Sequence, residues 1–125
     1  GNQFISSETL ELMKTNQIGD LNYEFQPTYN PSLIHAHEWY PNIKKKFTYG
    51  FLTNLEDLPG GRKAGSLAWS GICNTYFWID PYSGIAGTAM MQLSPHYDKR
   101  CISILEALEK ASYSELDVLN NWSAT

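Results

Sequence analysis

Between Thr75 and Gln92, two runs of β-forming residues flank Asp80-Pro81-Tyr82-Ser83-Gly84. An Asp side chain bonds to the backbone just ahead of it, Pro fixes φ, and Gly accepts positive φ, so this stretch is built to turn. Thr75–Asp80 and Ala86–Gln92 are therefore expected to pair as an antiparallel hairpin. The second run, Ala86-Gly87-Thr88-Ala89-Met90-Met91, has one Thr among small and apolar residues and no polar alternation. A strand of that kind is covered on both faces and has neighbours on both sides. Left at a sheet edge, it would expose unpaired N–H and C=O groups and invite aggregation. Further structure is expected beside residues 86–92, from another segment or another chain.

The rest of the chain completes an α+β pattern. Residues 7–15 place Leu10 and Met13 three apart behind Ser6 and Ser7, a short capped helix ending before Gly19. Residues 19–46 carry Pro27, Pro31, Pro41 and scattered aromatics without a period, and loops that long tend to carry function. Phe47–Thr53 reads as one strand, Asn54–Lys63 as a turn-rich loop, and Ser66–Trp69 as another strand, with Pro95 forcing the last strand to stop before it. Residues 98–111 return to helical spacing with Ile102, Leu105 and Leu108 on one stripe. Ser112-Tyr113-Ser114-Glu115 has the capping-box spacing for a last short helix. The order implies an antiparallel sheet flanked by helices, in one domain spanning 1–125.

Composition removes several function classes. With 42% hydrophobic and 14% aromatic residues the 125-residue chain is globular, and a net charge of −4 argues against nucleic acid and anionic membrane surfaces as partners. The one basic run, Lys44-Lys45-Lys46, reads as a solvated loop. Cys73 and Cys101 have no metal-type spacing and read as buried free thiols. No apolar run is long enough for a membrane span, and the sequence leans toward the cytoplasm without fixing a compartment. His35-Ala36-His37-Glu38 with His96 has the letters of a metal site, yet two histidines two apart in a loop read as ordinary surface residues.

Gly65-Ser66-Leu67-Ala68-Trp69-Ser70-Gly71, followed by Thr75-Tyr76-Phe77-Trp78-Ile79-Asp80-Pro81, resembles the serine β-lactamase and penicillin-binding-protein-like family. The closest likeness is to its esterase and acyltransferase branch. Tyr49-Gly50-Phe51, Pro59-Gly60-Gly61-Arg62 and Met91-Gln92 fit the same family in order. The resemblance implies the C-terminal part of a β-lactamase-like fold. The family uses Ser-x-x-Lys for nucleophile and partner lysine, Tyr-x-Asn for a proton-shuttling phenol, and Lys-Thr-Gly or a substitute on the strand edging the pocket. Trp69-Ser70-Gly71 stands in the third place. No serine here has a lysine three residues later, and Tyr40-Pro41-Asn42 lies too close to the third motif to be the second.

Acyl transfer passes through an oxyanion that needs preorganised N–H donors. The resemblance assigns one donor to the Ile72 backbone N–H. It makes Gly71 the residue that leaves room for the acyl group, and Ser70 and Trp69 substrate contacts. Trp69 replaces a cation with a flat apolar wall, which favours neutral esters or thioesters over anionic β-lactams. The implied function is ping-pong acyl transfer on a small acyl substrate, to water or an alcohol, with no cofactor or metal. Ser-x-x-Lys and Tyr-x-Asn would come from an N-terminal segment or second chain, and this chain alone would be inactive. The alternative is a non-catalytic binding subunit that kept the fold.

Overall fold

The computed structural model describes residues 4–123, with side chains described to residue 115. Helix α1 (Ser7–Lys14) starts where expected: Ser6 Oγ accepts the Thr9 N–H at 3.1 Å, and Glu8 and Lys14 complement the dipole at its two ends. None of its residues is buried, and Leu10 and Leu12 lie exposed. Its local signals suffice to form it, but its apolar side finds no cover among the described residues.

Five strands form one antiparallel sheet in sequence order: β1 (Lys45–Phe47), β2 (Leu52–Asn54), β3 (Leu67–Gly71), β4 (Thr75–Asp80) and β5 (Ile85–Ala89). The β4–β5 hairpin is the one its turn residues specify. Asp80 Oδ1 accepts the N–H groups of Tyr82 and Ser83 at 2.9 and 3.0 Å, and Gly84 sits at φ +68°. The single strand expected over Phe47–Thr53 is instead a hairpin between β1 and β2. The Thr48 N–H donates to the Phe51 carbonyl at 2.8 Å and Thr48 Oγ1 accepts the Phe51 N–H at 3.2 Å, leaving Tyr49-Gly50 as the tip. Gly50 was the only turn signal in a run otherwise made of strand formers.

Lys45 corrects a second expectation. It is 1% exposed, and its ammonium donates to the carbonyls of Tyr40 and Ile43 at 3.0 and 2.6 Å, with Glu38 at 3.5 Å. Lys46 caps the carbonyls of Gly19 and Leu21. The basic run therefore ties the long loop to the sheet.

A single helix, α2 (Lys99–Ser123), replaces the two that the sequence suggested. Ser112 Oγ donates to the Leu108 carbonyl at 2.9 Å, so it is satisfied inside the helix and does not start a new one. Asp98 Oδ1 accepts the Arg100 N–H at 2.9 Å at the true start. The buried stripe is Cys101, Leu105, Glu109 and Tyr113, four apart, while Leu108 is exposed and Ile102 half-buried. This stripe packs with Leu52, Ala68, Tyr76, Trp78 and Ala89 of the sheet, each large apolar side chain contributing about 1.5–3 kcal/mol.

Glu109 belongs on that stripe because Arg62 meets it. The guanidinium donates to both carboxylate oxygens at 2.8 and 2.6 Å, the Arg62 N–H adds a third bond at 3.1 Å, and the Tyr40 hydroxyl joins both partners. Burial alone would raise the Glu109 pKa. The Arg62 hydrogen bonds outweigh it and hold the carboxyl below its usual range. A Cβ on Gly61 would sit 2.8 Å from Glu109 Oε1, which explains the glycine there.

Among the described residues, the opposite sheet face is open. Phe77 is half-buried, Ile79, Ala86 and Thr88 are exposed, and Met90 beyond β5 is 82% exposed. β5 pairs with β4 and, among those residues, with no other strand.

Candidate functional site

Trp69, Ser70 and Gly71 end β3, and Ile72 opens the turn into β4. That turn is held from below by Asn74, a buried residue at φ +60°. Its N–H returns to the Gly71 carbonyl at 3.1 Å. Its Nδ2 donates to the carbonyls of Leu93 and Pro95 at 2.9 and 2.8 Å, and its Oδ1 accepts from the Tyr76 hydroxyl and the Asp98 N–H at 2.7 and 3.1 Å. Every polar group of the amide is satisfied, so the end of β3 is rigidly placed. Sequence reasoning did not single out Asn74, and only its proximity to the motif pointed to it.

The exposed rim of the motif is Gly71 and Ile72, the latter 52% exposed. Among the described residues no backbone acceptor takes the Ile72 N–H. Gly71 has no positive φ, and a Cβ there would meet Thr75 at an ordinary 3.7 Å. Nothing inside the described chain requires glycine at this position.

Behind the rim the motif is aromatic. The Trp69 ring packs edge-on to Phe47 at 4.9 Å and to Tyr23 at 6.2 Å, and stacks near Trp39 at 6.3 Å. The long loop therefore reaches the motif through Tyr23 and Trp39, whereas Phe25 and Tyr29 are exposed and anchor nothing among the described residues. Ser70 Oγ lies 3.4 Å from His96 Nε2.

His96 is buried and His35 and His37 are half-buried. A Gln26–His37 bridge closes the loop, and an Ile34–His96 bridge fastens it to residues 93–97. The His96 ring stacks on Tyr76 at 5.8 Å and meets His37 edge-on at 5.6 Å, and its Nδ1 is buried without a partner. Burial first, then the neighbouring His37, push the His96 pKa down. Among the described residues no three His, Cys, Asp or Glu side chains come together as a metal-holding group. Cys73 and Cys101 are both free thiols, the first half-buried and the second buried.

The five-stranded antiparallel meander with one helix on its core face matches a β-lactamase-like fold. The chain is similar to unliganded simvastatin synthase (LovD) from Aspergillus terreus, at 33% identity and a TM-score of 0.57 over 58% of this chain and 19% of that one. A mutant of the same enzyme matches at 31% identity and a TM-score of 0.59 over 60% of this chain and 19% of that one. In sequence the chain is 35% identical over 75 residues to monacolin J acid methylbutanoyltransferase of Aspergillus terreus, and 33% over 82 residues to ML-236A carboxylate methylbutanoyltransferase of Penicillium citrinum. These alignments take in 58% and 64% of this chain, and it spans only about a fifth of either relative, 18% and 20%. No protein-family model matches the chain. Over the matched portion the chain is similar to these acyltransferases, and its fold matches the β-lactamase-like fold of simvastatin synthase.

Proposed function

We propose that this chain is the C-terminal part of a serine-dependent acyl-transfer enzyme acting on esters or thioesters. In this reading it supplies the third-motif strand and one oxyanion-hole donor. The nucleophile, in Ser-x-x-Lys, and the Tyr-x-Asn phenol come from a segment N-terminal to it or from a second chain, without which residues 1–125 are inactive. The transferred group is a small acyl group, as the methylbutanoyl named for the relatives suggests.

The observation that carries the reading is the state of Gly71 and Ile72. An N–H that no described acceptor takes, beside a glycine that no described neighbour demands, is what a strand looks like when its partner is a substrate. In the reaction the nucleophile attacks the acyl carbonyl, and the negative charge developing on its oxygen is met by the Ile72 N–H and the nucleophile's own N–H. Gly71 leaves space for the acyl chain, Ser70 bonds an ester oxygen, and Trp69 offers an apolar wall with no cation. The long loop, which reaches Trp69 through Trp39 and Tyr23, borders the acyl or acceptor pocket.

Gly71→Ala tests this in the complete enzyme. Because the Cβ fits against Thr75 at 3.7 Å, stability is expected to change by less than about 0.5 kcal/mol. The crowded acyl group should lower ester kcat/KM about 10- to 100-fold. Unchanged turnover in a folded G71A enzyme would remove Gly71 from the site and point to the non-catalytic binding subunit.

A further inference from the structure

We propose that His96 is a positioning residue for acyl transfer, holding the Ser70 hydroxyl in one orientation at the substrate-facing end of β3. This rests on the function proposed above, and it adds a residue that the motif itself does not contain.

Three observations meet at this point. His96 Nε2 lies 3.4 Å from Ser70 Oγ, in the range where a contact in an unliganded site tightens on substrate binding. The ring cannot swing away. It lies on Tyr76, meets His37 edge-on and Tyr97 at 6.3 Å, and its backbone bonds Leu33 and His35 on both sides. Its other nitrogen, Nδ1, is buried with no partner, so the ring's polar contacts are confined to the end of β3, to the Ser70 hydroxyl and the Gly71 backbone.

The groups facing His96 set its charge. His37 comes from the long loop, Tyr76 from β4, and Tyr97 from its own segment, where Asp98 is turned into hydrogen bonds with Arg100; the His35 ring turns to the Tyr97 carbonyl. No carboxylate is paired with the ring among the described residues. Burial first and then His37 disfavour the cation and outweigh the Gly71 backbone hydrogen bond that favours it, so His96 is neutral near neutral pH. A neutral ring lets Nε2 either accept the Ser70 proton or donate to its oxygen. A protonated ring can only donate. Acidification therefore fixes the hydroxyl in one role and places a buried charge against the substrate contact.

The experiment uses the complete enzyme with a neutral p-nitrophenyl ester. Wild-type kcat/KM is expected to fall as pH drops below about 6.5, through the lowered His96 pKa. His96→Gln, which offers a non-titrating amide near the Nε2 position, should keep activity within about threefold at pH 7.5 and lose that acid limb. His96→Phe fills the space without a polar partner and should lose about three- to tenfold in kcat/KM, the worth of one hydrogen bond. A merely structural histidine would lose activity in both variants without moving the limb. Superimposable pH profiles of wild type and His96→Gln overturn the inference.

NMR titration of the His96 ring in wild type and Ser70→Ala supplies an arm independent of turnover. A midpoint shift of about half a unit to one unit supports the contact, and identical midpoints overturn it. An enzyme that transfers no acyl group at all would overturn the proposed function and the catalytic part of this inference. The titration alone then decides whether Ser70 and His96 are coupled.

Discussion

Replacing Gly87 with alanine separates a packing constraint from ordinary strand chemistry, because the two give opposite signs. Gly87 pairs directly with Trp78 across β4 and β5, and a Cβ built there would lie 2.0, 2.3 and 2.4 Å from three atoms of the indole. Carbon atoms at rest stand about 3.5–4.0 Å apart, so the overlap exceeds about 1 Å. Trp78 has nowhere to retreat: it is fully buried in the core, with the Arg62 guanidinium 5.7 Å from its ring centroid. Overpacking of this kind belongs at the upper end of the usual range, about 3 kcal/mol. Without Trp78, alanine in a strand would be favoured over glycine by about 0.5–1 kcal/mol. Urea unfolding followed by far-UV circular dichroism should show Gly87→Ala losing about 3 kcal/mol. In a Trp78→Leu background, which opens the space, the same change should cost less than about 1 kcal/mol, a coupling of about 2 kcal/mol. A Gly87→Ala protein as stable as wild type, or an equal penalty in both backgrounds, would refute the reasoning.

Three other predictions are independent of it. Glu109→Gln leaves Arg62 without its charge partner and should destabilise the protein by about 3 kcal/mol in chemical denaturation at pH 7. Since the folded carboxyl is held below its unfolded value, its contribution is full above about pH 4.5 and lost as pH falls through the lowered pKa; the wild type should show that acid loss and the variant should not. In hydrogen exchange, the outward amides of Ile85–Ala89 should be protected in the complete enzyme and exchange freely in residues 1–125 alone, since β5 pairs on one side among the described residues. Trp69 puts no cation at the motif, so turnover of the anionic β-lactam nitrocefin should fall at least about tenfold below that of a neutral ester, and equal rates would contradict the assignment.

Legibility followed how local each signal was. Thr75–Asp80 could be read because its residues alternate in burial and its turn is built from adjacent Asp, Pro and Gly. Trp69-Ser70-Gly71 could be placed at a strand end because its neighbours on both sides are strand formers and turn residues contiguous with it. The α2 stripe was misplaced because one of its four positions is Glu109, whose burial depends on Arg62, 47 residues earlier. Lys45 was misread for the same reason, since a lysine is buried only where carbonyls gather around it, and those belong to Tyr40 and Ile43. His96 enters the sequence reading only as a possible third metal ligand, because its contact with Ser70 spans 26 residues and only the folded chain brings them together. Asn74 shows the intermediate case: it lies next to the motif, yet its four hydrogen bonds reach across to residues 93–98 and within β4.

Mapping the site of covalent fluorophosphonate modification in the complete enzyme tests the central claim most directly. The label should appear on a serine that is followed three residues later by lysine and lies outside residues 1–125. A label on any serine of this chain, Ser70 above all, would contradict the account, because it would mean that the strand presents its own nucleophile and does not await one.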